Sequence, residues 1–339
     1  MTTILLTALL ASAAEPDWAA AEAVYFKNIK QITSNFVRAG EGYFSPDGKR
    51  IIFQAEEKDT GNPFYQIFVQ DLDSGKFHRI SPGIGRTTCS YFRPDGKRVI
   101  FASSHADPDA KKVQEQEYAQ RAKNTKPRRY QWDFDPQMKI YEANPDGSDL
   151  KCLTPNAKVY TAEGSYSADG KRIVYSAGNA GDVQIYTMNA NGSGVQQLTT
   201  AKNCYNGGPF FSPDGSKVIF RSDRKEKDRL QLYVINSDGS AETALTDNDK
   251  WVYWAPYWYQ DGQHIIYTAA DHSDPMARPN YDLYWMNLAT KKTTRLTRAP
   301  GSDVLPVFSP DGTKLLWTST RDGRQSAQLW LADFTPPKE

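Results

Sequence analysis

Phe211-Ser212-Pro213-Asp214-Gly215-Ser216-Lys217-Val218-Ile219-Phe220 is the stretch on which the fold turns. Its Asp-Gly step supplies a glycine free to take positive φ and an aspartate whose side chain can bond the adjacent backbone, as a tight hairpin turn requires. The run after it is apolar on consecutive residues instead of alternate ones, which calls for a strand buried on both faces. The same signature recurs outward along the chain at Asp47-Gly48, Asp95-Gly96, Asp169-Gly170, Asp261-Gly262 and Asp311-Gly312. Successive Asp-Gly steps therefore stand 48, 74, 45, 47 and 50 residues apart. A unit repeated at roughly 40–50 residues is the period of a propeller blade.

Each unit continues in a fixed phase. A third strand reads Gln66-Ile67-Phe68-Val69, Lys139-Ile140-Tyr141, Gln184-Ile185-Tyr186, Gln231-Leu232-Tyr233, Asp282-Leu283-Tyr284 and Gln328-Leu329-Trp330. Five units then end at Ile80-Ser81, Leu153-Thr154, Leu198-Thr199, Leu245-Thr246 and Leu296-Thr297, which makes four strands per unit. The sixth stops near Phe334 after three strands, and the missing ending stands at the other terminus as Gln31-Ile32-Thr33. A ring closed by the N-terminal strand in the last blade leaves no sheet edge exposed to aggregation. A linear solenoid would need end caps and would leave Val24 to Thr33 without a role. The expectation is an all-β, six-bladed propeller of four-stranded blades.

Composition agrees. Twelve per cent of residues are aromatic, with 8 Trp and 19 Tyr, and flat aromatic side chains suit pleated, half-buried surfaces. Lys plus Arg number 41 against 40 Asp plus Glu, so no global field marks a nucleic-acid partner or an anionic membrane. The apolar run Ile4 to Ala11, followed by Ser12, Ala13 and Ala14, reads as a secretory signal over 1–14. That leaves 15–339 as one propeller domain in the periplasm or outside the cell, monomeric and with no transmembrane segment in the mature chain. Cys89, Cys152 and Cys204 show no metal-type spacing, and their odd number leaves at least one unpaired. Whether Cys89 and Cys204 pair stays open.

Repeats such as Phe211-Ser212-Pro213-Asp214-Gly215 followed by Lys217-Val218-Ile219-Phe220 resemble the TolB-like propeller family, and the resemblance covers nearly the whole mature chain. It implies a binding role, as in TolB itself, which docks a peptidoglycan-associated lipoprotein through its propeller. Repeat-like sequence begins near Val24, so the separate N-terminal α/β domain of TolB is not expected here. The family also contains peptidase-associated propellers and propeller lyases, and fold alone does not choose among them.

In this topology the Asp-Gly turns share one face with the short turns between third and fourth strands. The opposite face carries the variable connections. Its largest, 105–135, accounts for the 74-residue spacing and is an insert in blade two. Asp107-Pro108 reads as a helix start, with Asp as cap and Pro at the first position, and Lys111 to Lys123 are strong helix formers. Beyond them Arg128 and Arg129 precede Tyr130 and Trp132, a basic and aromatic cluster able to hold an anionic or sugar ligand. On the same face stand His105, Arg224, Trp251, Trp254, Asp271, His272 and Arg278, aromatics beside charges as on recognition surfaces. His105 and His272 hold matching positions in opposite blades. They should lie on the order of 20 Å apart across the axis, too far to share a metal. His78 and His264 are expected to have surface roles.

No Gly-x-Ser-x-Gly elbow occurs, and no catalytic residue, metal site or cofactor is marked. The leading reading is a binding or scaffold module that takes a protein partner or a cell-envelope polysaccharide through the long-loop face. The alternative is a polysaccharide lyase or hydrolase similar to propeller oligogalacturonate lyases. In it Arg128, Arg129, Arg224 and Arg278 would neutralise uronate carboxylates while a basic residue abstracts a proton. The clustered histidines of that family are not seen.

Overall fold

A computed structural model of the 339-residue chain describes residues 18–123, 133–321, 323 and 326–338. They form six four-stranded antiparallel sheets, each with its strands in chain order except the last. The first strands, Phe36–Phe44, Thr87–Phe92, Tyr160–Tyr166, Asn206–Phe211, Trp251–Trp258 and Asp303–Phe308, line the centre and contact one another around the ring. In the last sheet Phe26–Gln31 takes the outermost place, antiparallel to Gln328–Phe334. The chain is a six-bladed propeller closed by its N-terminal strand.

The repeated residues explain the repeated geometry. In each second strand the consecutive apolar residues are buried, as in Ile51, Ile52 and Phe53 or Val218, Ile219 and Phe220, because neighbouring blades cover both faces. Across each of five blades a second-strand aromatic stacks on the third-strand aromatic opposite it: Phe53 on Phe68, Phe101 on Tyr141, Tyr175 on Tyr186, Phe220 on Tyr233 and Tyr267 on Tyr284. At the turns Gly48 and Gly215 both stand at φ 70°, a backbone that favours glycine. Ser212 Oγ donates to Asp214 Oδ1 at 2.5 Å, and Asp214 Oδ1 accepts the Ser216 amide at 3.0 Å.

The unit ending has its own chemistry, visible at all six positions. A hydroxyl accepts the amide of the third strand: Ser81 from Ile67, Thr154 from Ile140, Thr199 from Ile185, Thr246 from Leu232, Thr297 from Leu283 and Thr33 from Leu329. Thr33 thus does for the last blade what the local Ser or Thr does for the others, across 296 residues of sequence. A buried ion cluster reinforces this closure. Arg321 pairs with Glu22 at 3.2 Å and Asp303 at 3.0 Å. Glu22, at the end of the short helix Trp18–Glu22, also accepts the amides of Arg298 and Ala299.

The insert in blade two contains the helix Ala110–Lys123. Asp107 caps it, its Oδ1 accepting the Asp109 amide at 3.0 Å, with Pro108 in the first-turn position where no amide is needed. The helix is tied to blade one by Arg121 on Glu56 and by Gln114 on the Gly85 amide. The signal reading over 1–14 lies outside the described residues. All three cysteines are free, so Cys89 and Cys204 do not pair. His264 corrects an expectation: it is buried, stacked on Trp285 at 4.8 Å and held by Asp261 at 2.6 Å. Among the described residues no helix is long and apolar enough to cross a membrane.

Candidate functional site

Every first strand carries a bulge, and at each bulge one residue takes positive φ: Glu41, Cys89, Glu163, Gly208, Ala255 and Leu305. All six stand six residues before the Asp of their Asp-Gly turn. Bulges re-aim side chains and recur beside functional sites. Here they ring the axis and line one small cavity of about 30 Å³ together with Ser90 and Arg221. Blades one to three contribute Glu41, Cys89 and Glu163, whereas blades four to six contribute small or apolar residues. The space left in blade four is filled by Arg221 and Tyr205. A Cβ on Gly207 would meet the Tyr205 hydroxyl at 1.9 Å, and one on Gly208 the Arg221 guanidinium at 2.3 Å.

Glu163 is fully engaged. It accepts from Tyr160 at 2.9 Å, from Tyr205 at 2.8 Å, from Arg221 at 3.2 Å and from the Gly208 amide. Burial pulls the Arg221 guanidinium down, but Tyr205 and Glu163 around it outweigh that and hold it above its ordinary range. Glu41 is less well served. Among the described residues its carboxylate accepts only a distant Tyr43 hydroxyl at 3.4 Å and the Cys89 thiol at 3.8 Å, and the surface it retains faces the axial cavity. Burial pushes its carboxyl up to about 7, against the pull of Arg221 and with the push of Glu163. Burial likewise raises the Cys89 thiol well above its usual range, aided by Glu41 and Glu163.

Two residues further along each first strand lies a second ring, Tyr43, Tyr91, Ser165, Phe210, Tyr257 and Val307. Tyr91 and Tyr257 share a hydroxyl hydrogen bond of 3.0 Å across the axis, and Phe210 meets Tyr257 edge-on at 5.1 Å. This ring closes the axis. On its far side, toward the Asp-Gly turns, a funnel of about 310 Å³ opens between Pro46, Pro94, Pro213 and Pro310.

The residues marked by sequence do not converge. His105 bonds Ser103 at 3.0 Å and packs on Tyr141 at 4.4 Å, and burial lowers its basicity. His272 bonds Tyr281 at 2.8 Å, in blade five. Arg224 is held by Ser222, Asn206 and Glu242 and lies over Tyr233 at 4.4 Å, so its fork is consumed within blade four. Trp251 stacks on Tyr253 at 6.1 Å, and Trp254 meets Tyr281 edge-on and lies near Arg221. Asp271 caps the Ser273 amide at 2.8 Å, and Arg278 is exposed. Arg128, Arg129, Tyr130 and Trp132 lie outside the described residues. Among those described, no three His, Cys, Asp or Glu side chains are grouped to hold a metal. Sequence reading missed the axial cluster, although its signal was available as Glu41, Glu163 and Gly208, each six residues before the Asp of its turn.

A family model described as the TolB β-propeller domain matches residues 152–280. Over that stretch the chain is similar to the TolB β-propeller domain. A solved Agrobacterium tumefaciens protein assigned as a TolB superposes with a TM-score of 0.60 at 18% identity, covering 91% of this chain and 97% of that one. TolB from Acinetobacter baumannii gives 0.55 at 18% identity, with 90% of this chain matching 66% of the longer one. An oligogalacturonate lyase from Vibrio parahaemolyticus gives 0.56 at 14% identity over 90% and 93% of the two chains. At these identities the shared property is the fold.

Proposed function

We propose that this TolB-like propeller is an exported, periplasmic and monomeric binding or scaffold module that holds a protein partner or a cell-envelope polymer on its long-loop face. One observation carries the reading. His105, His272 and Arg224, the described groups on which turnover at this face would depend most, are each bonded within their own blade and separated around the ring. A lyase needs a base and cations converging on one sugar. What the face offers instead is breadth: half-buried Trp251 and Trp254, exposed Arg278 and Asp271, and the helix of the insert. Aromatic anchors among charges suit recognition.

The test is a screen of the mature protein against neutral and acidic cell-wall polysaccharides and against envelope extract, following binding heat and the ultraviolet absorbance of unsaturated products. The expected result is binding without product, weakened by deleting 105–135 and by the surface reversals Asp271→Lys and Arg278→Glu, which leave the blades intact. Product formation, or binding that ignores all three changes, would overturn the assignment.

A further inference from the structure

The axial cluster belongs to no part of the loop-face reading, yet it gathers two carboxyls and a guanidinium about one small cavity. Two carboxyls, Glu41 and Glu163, share a single guanidinium, Arg221. Arg221 is committed elsewhere, donating to Glu163 at 3.2 Å and Tyr205 at 2.7 Å. Five titratable groups face Glu41: Arg221 from the second strand of blade four, Glu163 from blade three, Cys89 from blade two, Tyr43 on its own strand and Tyr65 just before the third strand of its own blade. The Thr318 hydroxyl takes its amide. Glu41 is half-buried, and a second negative charge there without its own partner is costly; a proton removes it. The adjoining cavity, about 30 Å³, is on the order of one or two waters. The buried Ser90 lines it, its hydroxyl making no hydrogen bond to protein. Proton exchange with Glu41 therefore has a polar path.

This proton is linked to the surface by a short chain of contacts. Glu163 holds the hydroxyls of Tyr160 and Tyr205, and the two rings clamp Phe134 at 5.2 and 5.5 Å. Phe134 stands at the C-terminal end of the insert, beside Asp133 and Asp135, which Arg86 anchors. We propose that Glu41 is a proton-operated latch: as the neutral acid it leaves Arg221 to Glu163, and on ionising it draws Arg221 away and loosens the Tyr160–Tyr205 clamp on Phe134. Opening then releases a proton, so the open form gains population as pH rises until Glu41 is ionised in both forms. The latch stands independently of what the loop face binds.

Hydrogen exchange of residues 133–138, corrected for the intrinsic pH dependence of amide exchange, reads it directly. The opening constant should rise about tenfold or more between pH 5 and pH 7.5 and then level off, whereas Glu41→Gln should stay at the acid level throughout. A rise of equal size in the variant, or no rise in the wild type, would overturn the latch. A second measurement compares wild type with Glu41→Gln, because burial also lifts the Asp282 carboxyl to about 6. The wild-type-minus-variant infrared spectrum should show the carbonyl stretch of a protonated carboxylic acid at pH 6 and lose it by pH 8.5, and its absence from the difference at pH 6 would equally sink the proposal.

Discussion

Replacing Glu41 by Gln should make this propeller more stable at alkaline pH while leaving it nearly unchanged in acid. The Glu41 carboxyl is displaced by burial from 4.5 to about 7, and at about 1.4 kcal/mol per tenfold in proton affinity that displacement is worth about 3 kcal/mol. The sign follows from linkage. A folded-state pKa raised above the unfolded value means that the native protein binds the proton more tightly. The contribution is fully present below pH 4.5 and is lost as pH rises through 7. Gln is neutral throughout, so the variant escapes that loss. Glu41 keeps part of its surface toward the axial cavity, which relieves part of the penalty and sets the expected gap at about 1–3 kcal/mol. The assay is urea unfolding of both proteins at pH 5 and pH 8, comparing the difference between variant and wild type at the two values so that any constant packing effect cancels. If that difference is the same at both, or moves toward the wild type at pH 8, the account of Glu41 as a buried, underpaired acid is wrong.

Other expectations follow from the same geometry. Gly208→Ala should cost about 3 kcal/mol or more, since its Cβ would expel Arg221 and leave Glu163 buried without its cation, and thermal unfolding will show it. Glu22→Gln should lower stability by roughly 2 kcal/mol by weakening the charged hydrogen bonds that Arg321 and the Arg298 and Ala299 amides make with it. The loss should appear as early proteolysis of the N-terminal strand. Asp214→Ala should cost only about 1 kcal/mol, because the turn is exposed and solvent screens it. The side-chain and backbone donors of Ser212 and Ser216 lower the Asp214 carboxyl to about 2, so its contribution is present above pH 3.8 and is lost as pH falls through about 2. The variant should therefore approach wild-type stability in strong acid.

Much of the architecture was legible because it rests on local chemistry repeated at a fixed phase. Asp-Gly marked each hairpin, Ile51-Ile52-Phe53 and its counterparts marked strands covered on both faces, and Gln31-Ile32-Thr33 marked the closing strand, where Thr33 does bond Leu329. Asp107 and Pro108 marked the start of the insert helix in the same way. The site was harder, because what matters there is a departure from the repeat and not the repeat itself. Glu41 and Glu163 occupy a position that is Ala255 or Leu305 in other blades, and only closing the ring brings them to one axis with Arg221. His264 misled for the converse reason: its place after an Asp-Gly turn suggested solvent, whereas Trp285 and Asp261 enclose it.

The shared last blade also sets an order of events. Phe26–Gln31 precedes every other strand of the six blades in the sequence, and its partner Gln328–Phe334 follows them all. Neighbouring blades cover one another, but the seam can seal only after the final strand arrives. Until then Phe26 lacks the Phe334 and Trp317 rings that bury it. The ring therefore remains an open arc until that strand is in place and becomes mechanically locked in a single late step.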